Sequence, residues 1–122
     1  MKILLVDDDE FVRDMYATKF SEAGDEVVAA KDADEALRLL EEQPCDVVLM
    51  DMVLPGMTGS ELIQAIKKKE GDASKAQCIV LSNQSEESHI KAATDAGAAG
   101  YIIKAELIPS EVVGKVHELV NL

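Results

Sequence analysis

Three acidic residues raise a chemical question before any element is assigned. Asp7 and Asp8 directly follow the apolar run Ile3–Val6, and Asp51 directly follows Val47–Met50. A carboxylate at the mouth of an apolar stretch is costly unless a cation or donor faces it. Two later apolar runs end in groups of the complementary kind. Cys78–Leu81 leads into Ser82, a hydroxyl donor, and Tyr101–Ile103 leads into Lys104, a cation. If these ends meet, three carboxylates share one cleft. Two such charges about 4 Å apart repel by roughly 1 kcal/mol in water, and by several times more in a shielded site. A divalent cation relieves that repulsion, and all-oxygen ligation with room for water suits Mg2+ better than a full Ca2+ cage. A hydroxyl and an ammonium at the same edge require an anion as well. A phosphoryl group on Asp51 satisfies every member: Mg2+ and Lys104 neutralise its oxygens and Ser82 donates to one, which is phosphoryl transfer by positioning and charge neutralisation.

Each residue also has a plainer reading. The run Asp7–Glu10 can complement the dipole of a following helix, and Asp9 and Glu10 are assigned that role. Asp51 can cap a backbone amide, Ser82 can be a turn residue, and Lys104 can be solvated. An EF-hand reading of Asp7 and Asp9 fails, because no glycine stands at the sixth loop position. The elements decide between these readings, since only folding can gather the groups.

Short apolar runs at Ile3–Val6, Glu26–Ala30, Val47–Met50, Cys78–Leu81 and Tyr101–Ile103 read as strands. Helical periodicity fills the intervals: Val12, Met15, Tyr16 and Phe20; Ala33, Ala36, Leu37 and Leu40; Leu62, Ile63 and Ile66; Ile90 and Ala93; Val112, Val113, Val116, Leu119 and Val120. Asp32 with Glu35 and Thr58 with Glu61 are capping-box patterns, Gly24 and Gly97 are stop signals, and Pro109 suits a first helical turn. Gly114 weakens the last helix by about 1 kcal/mol relative to Ala. Strands alternating with helices imply an α/β fold, a five-stranded parallel sheet covered on both faces in the flavodoxin-like, doubly wound manner. The expected strand order is 2-1-3-4-5, with the switch point between strands 1 and 3, where such sheets bind ligands. Those strands are neighbours about 4.8 Å apart, so Asp7, Asp8 and Asp51 are expected in one cleft. The stretch EGDASKAQ before the fourth strand reads as a solvated connector, and His89 and His117 as surface residues.

At 122 residues, with 48% apolar, 30% charged and 3% aromatic residues, the chain suits one domain, residues 1–122, with an aliphatic core. Its net charge of −12 argues against direct nucleic-acid or anionic-membrane binding and favours cations or basic partner patches. No apolar run approaches the roughly 18 residues of a membrane span, and MKILLVDDDE is no signal peptide, so a cytoplasmic location is expected. Cys45 and Cys78 lack metal-site spacing and read as buried, reduced thiols.

LLVDDDE, VLMDMVLPGMTG, IVLSNQ and AGAAGYIIKA, in that order and at their spacing, resemble the signatures of two-component response-regulator receiver domains across the whole chain. The resemblance implies that Asp51 accepts phosphate from a phosphohistidine of a histidine kinase or phosphotransfer protein. It implies that Asp8, Asp51 and the Val53 backbone carbonyl bind Mg2+ with Asp7 assisting through water, and that Ser82 and Lys104 contact the phosphoryl group. Tyr101 matches the family's rotating switch aromatic, beside the plainer reading of packing at the start of a strand. Phosphate would draw Ser82 inward, Tyr101 would fill the vacated space, and the face of helix 4, strand 5 and helix 5 would change for a downstream effector protein or a fused output domain. The thin, Ala-rich face of helix 4 suits a segment that switches cheaply. With Met1 just before the first strand and Leu122 at the end of the last helix, a stand-alone receiver is favoured over an excised one.

Three departures stand out. Ala105 replaces the proline that usually follows the lysine, and a non-proline cis bond costs about 2.5–4 kcal/mol, so a trans or strained cis peptide is expected. Asn83 replaces a small residue and narrows access to Asp51. Apolar Val53 and Gln84 occupy the variable flanking positions, and Val53 should hold attacking water poorly and prolong the phosphoryl lifetime. Two rival readings remain: a phosphate-independent pseudo-receiver, and a phosphatase of haloacid-dehalogenase style. The latter needs a general-acid Asp two residues after the nucleophile, where Val53 stands.

Overall fold

The computed structural model describes residues 1–121. Five strands form one parallel sheet: β1 (Lys2–Val6), β2 (Glu26–Ala30), β3 (Val47–Met50), β6 (Gln77–Ser82) and β7 (Gly100–Ile103). Two further strands, β4 (Val53–Leu54) and β5 (Met57–Thr58), make a small antiparallel pair that sequence periodicity is too short to reveal. It turns at Pro55-Gly56, with Gly56 at φ 74°, a backbone conformation that favours glycine. The sheet order is β2-β1-β3-β6-β7, which is the expected 2-1-3-4-5 when only the five sheet strands are counted. Residues in register include Val6 with Met50 and with Ala30, so the ends of β1 and β3 lie side by side.

The helices are α1 (Glu10–Glu22), α2 (Ala33–Glu42), α3 (Gly59–Lys67), α4 (Glu87–Ala96) and α5 (Pro109–Val120). Successive strand side chains point to opposite faces, and the core divides accordingly. Leu4, Val48, Met50, Cys78 and Val80 pack with Ala36, Leu40, Leu62, Ile63, Ile66 and Ala93 from α2, α3 and α4. Ile3, Leu5, Val47, Leu49 and Ile79 pack with Tyr16, Phe20, Val112 and Val116 from α1 and α5. This double cover is why β1, β3 and β6 read as unbroken apolar runs, whereas β2 at the edge is largely exposed or half-buried. Truncating one of the fully buried leucines to alanine costs about 2–5 kcal/mol.

Helix ends follow local chemistry. Asp9 caps α1 by accepting from the Val12 amide, and Thr58 with Glu61 closes a reciprocal capping box on α3. The second expected box is only half formed: Asp32 accepts from the Glu35 amide, but Glu35 reaches back to Lys31. Gly97 ends α4 at φ 108°, and Pro109 opens α5. Gly114 does not interrupt α5. Both cysteines are free and buried.

Two expectations need correction. The stretch before β6 is no mere solvated connector: Gly71–Lys75 forms a 3-10 helix, and Ala73 and Ala76 are buried against the α3 face of the core. Small apolar side chains in a polar run carry too little signal to reveal this. His117 is partly covered, because its Nε2 lies 2.6 Å from Asp25 Oδ2 and its ring meets Phe20 edge-on at 6.3 Å. His89 stays near the surface, beside Glu86. Among the described residues, no helix is long and apolar enough to cross a membrane.

Candidate functional site

The sheet's hydrogen-bond ladder runs one residue past the strand ends, and this places the first two acids. The Asp7 amide donates to the Ala30 carbonyl at 3.1 Å, and the Asp51 amide donates to the Val6 carbonyl at 3.2 Å. Both carboxylates therefore leave a rigid edge rather than a loop. Lys104, arriving just after β7, inserts its Nζ between them, 2.8 Å from Asp7 Oδ2 and 2.9 Å from Asp51 Oδ2. Its side chain is 14% exposed, against 5% for Asp7 and 17% for Asp51. Burial alone would lower the lysine's pKa, but its hydrogen bonds to Asp7 and Asp51, with their charges, outweigh that and hold it above the ordinary value. The ammonium stays charged throughout the neutral range.

Ser82 ends β6 fully buried and donates to Asp51 Oδ1 at 2.7 Å. The same carboxylate oxygen accepts from the Val53 amide at 3.2 Å. Ser82 Oγ in turn accepts from the Gln84 amide at 3.2 Å, and the Tyr101 hydroxyl donates to the Gln84 carbonyl. A continuous chain thus runs from Asp51 through Ser82 and Gln84 to Tyr101 on β7. Burial pushes the Tyr101 hydroxyl above its ordinary pKa, so it remains a donor at neutral pH. Tyr101 packs partly buried against the core, so the packing reading and the hydrogen-bonded one coexist.

Asp8 lies beyond the end of β1, exposed, and enters none of these hydrogen bonds. Among the described residues, no three His, Cys, Asp or Glu side chains stand arranged as a metal site. The structure thus gathers two of the three expected carboxylates, with an ammonium between them. The donor set nonetheless fits a hard divalent cation. Two carboxylates share one ammonium, which leaves surplus negative charge, and exposed Asp8 and the half-exposed Val53 segment border the same edge.

Four contacts escaped sequence reasoning, two of them made by the already noted Asn83 and Gln84. Asn83 Oδ1 accepts from the Ala105 amide at 2.9 Å; its bond, not only its bulk, matters. The Gln84 backbone links Ser82 to Tyr101, and the Arg13 guanidinium donates to the Asp7 carbonyl at 2.9 Å. A Cβ on Gly59 would lie 2.7 Å from the Asp51 carbonyl oxygen, so glycine is required where α3 starts against the acceptor's backbone. The one available signal was the missing proline: Ala105 keeps an N–H that needs an acceptor. No cis peptide occurs among the described residues, so the Lys104-Ala105 bond is trans.

The model of the response regulator receiver domain family matches residues 3–116. The chain is 39% identical over 115 residues to the uncharacterized transcriptional regulatory protein YhcZ of Bacillus subtilis, covering 93% of this chain and 52% of that one. It is 37% identical over 109 residues to the chemotaxis protein CheY of Halobacterium salinarum, covering 89% and 88%. The chain spans about half the length of the transcriptional regulators it matches. Among solved structures, a putative response regulator from Chloroflexus aurantiacus superposes with a TM-score of 0.88 at 30% identity, covering 99% of this chain and 98% of that one. Vibrio cholerae chemotaxis protein CheY4 does so with 0.88 at 27%, covering 97% of each. With the family's fold reproduced and its model matched over nearly the whole length, the chain belongs to the response-regulator receiver domains of two-component signal transduction.

Proposed function

We propose that this receiver takes a phosphoryl group onto Asp51 from the phosphohistidine of a histidine kinase or phosphotransfer protein, in the cytoplasm, and relays the change to an effector protein or an attached output domain. The observation that supports this most is the placement of Lys104 Nζ 2.8 and 2.9 Å from Asp7 and Asp51, with Ser82 donating to Asp51 at 2.7 Å. An Asp51 carboxylate oxygen attacks phosphorus and the P–N bond breaks; the donor imidazole, already protonated on its other ring nitrogen, takes the bond's electron pair and leaves neutral. Lys104 and Ser82 then exchange their bonds to the carboxylate for bonds to phosphoryl oxygens, where charge accumulates. Asp7, Asp8, Asp51 and the Val53 carbonyl would hold Mg2+, which supplies charge neutralisation at the transferring group.

Any shift of Ser82 passes along its bond from the Gln84 amide to the Gln84 carbonyl and so to the Tyr101 hydroxyl. The responsive face is α4, β7 and α5. Only Ala93 of α4 is buried, and α4 starts without a side-chain cap, which suits an element whose two positions differ little in free energy.

Incubation with Mg2+ and acetyl phosphate, followed by intact-mass measurement, tests this reading. The expected product is a labile mono-phosphorylated protein that Asp51→Asn abolishes. No adduct identifies a phosphate-independent interaction module instead. Turnover of ordinary phosphate esters identifies a phosphatase.

A further inference from the structure

Asn83 and Ala105 each stand one residue past a member of the site, Ser82 and Lys104, on neighbouring loops. The Ala105 amide donates to Asn83 Oδ1 at 2.9 Å, across 22 residues of sequence. That bond meets a local need. Lys104–Glu106 is a short 3-10 turn, and the first amides of such a turn have no partner within it. Its N-cap residue is Ile103, and no side-chain cap bond is made there. Asn83 supplies the missing cap from the loop opposite. The capped turn carries Lys104, and the capping loop begins at Ser82. A single bond therefore couples the backbone supports of two side chains that both touch Asp51.

We propose that Asn83 is a positioning residue, which fixes Lys104 relative to Asp51 through the Ala105 amide and so sets the rate of phosphoryl uptake. The inference rests on the reading of Asp51 as phosphoacceptor. A purely steric role for Asn83, narrowing access to Asp51, has the opposite sign: truncation would open the site and speed uptake. Because Asn83 is exposed, its truncation leaves the core intact.

Full-length wild type, Asn83→Ala and Asn83→Asp are compared by backbone amide exchange, and the first two also by the rate of phosphorylation with phosphoramidate and Mg2+. In Asn83→Ala, exchange at Ala105 rises about tenfold, the loss expected for one hydrogen bond. Uptake slows about threefold to tenfold, since a displaced lysine stabilises the transferring group less well. The thermal midpoint falls by a few degrees at most, the share of one hydrogen bond. Asn83→Asp retains an acceptor oxygen and keeps Ala105 protected. Faster or unchanged uptake in Asn83→Ala, or unchanged exchange at Ala105, overturns this proposal alone. Slower uptake accompanied by faster exchange throughout the sheet also overturns it, because that marks general loosening. A wild type that takes up no phosphate overturns the underlying reading of Asp51 itself.

Discussion

The two ends of the sheet hold similar charges arranged to opposite effect. At the carboxyl end, Asp7 and Asp51 share one ammonium, that of Lys104. At the amino end, Asp25 alone faces two partners, the Met1 ammonium at 3.2 Å and His117 Nε2 at 2.6 Å. Asp7 and Asp25 are equally enclosed, each with 5% of its side chain exposed. The balance of groups is what differs. At the amino end each acid has its own partner: Asp25 faces Met1 and His117, Asp46 accepts from the Lys2 amide at 2.7 Å and Glu26 pairs with Lys2 Nζ at 3.1 Å, and Asp25 ties the first strand, the α1–β2 turn and α5 together. The carboxyl end has more acid than cation, an imbalance that the proposed metal ion and phosphoryl group would relieve. Enclosure of a carboxylate does not by itself mark a functional site; an uncompensated charge at the switch point does.

The largest effect should come from breaking the carboxyl end. Lys104→Met is expected to slow phosphorylation about 10²–10³-fold, the usual loss on removing one charge-stabilising donor, and to lower stability as well, because Asp7, with 5% of its side chain exposed, loses its cation. Labelling with acetyl phosphate and thermal melts read both quantities. The same variant tests a pH effect. Lys104 has its folded pKa raised above the unfolded value of about 10.4. Its contribution to stability is thus fully present below that value and is lost as pH rises through the folded pKa. Lys104→Met should flatten the wild type's decline in stability above about pH 10.

The converse break is Asp25→Ala. It strands two partners at the amino end and should lower stability by about 2–3 kcal/mol, somewhat less than for a fully buried pair because His117 is partly exposed. Phosphorylation at the far end should keep its rate. A large loss of uptake in this variant would mean the two ends are not separable.

Mg2+ sharpens the contrast further. At about 100 times its dissociation constant it should stabilise the folded protein by about 2.7 kcal/mol. Asp25→Ala should gain as much as wild type, and Asp51→Asn clearly less, as read by thermal shift.

The smallest effect concerns persistence. Val53 is 55% exposed beside Asp51, and its side chain offers no hydrogen bond to water. Val53→Asn should hasten loss of the phosphoryl group by about threefold, on the scale of one modest hydrogen bond. Equal or slower loss in the variant would exclude Val53 as a determinant of lifetime.

The contrast also explains what the sequence made legible. Strand ends are punctuated by chemistry: Asp7, Asp51, Ser82 and Lys104 each follow an apolar run, and doubly covered strands advertise themselves by lacking alternation. The ladder then does the rest, since parallel neighbours in register must bring their ends together. What stayed hidden were contacts between residues distant in sequence whose types are individually ordinary. Nothing in the chain foretells that Asp25 meets His117 across 92 residues, or that Asn83 caps the turn bearing Lys104. Asp8 was legible as an acid but not as exposed, because side-chain alternation ceases to be informative once the strand has ended. The hairpin at Pro55-Gly56 and the 3-10 helix at Gly71–Lys75 are too short for any periodicity to register.

On the proposed reading, the surplus of acid at the carboxyl end makes Asp51 an Mg2+-dependent phosphoacceptor. The most direct test of that reading is to phosphorylate the protein with phosphoramidate, reduce the acyl phosphate with borohydride, and locate the resulting homoserine by peptide mass mapping. Homoserine is expected at position 51 alone, and only when Mg2+ is present. Trapping at another carboxylate, or none under conditions where the protein is folded and bound to Mg2+, would contradict it.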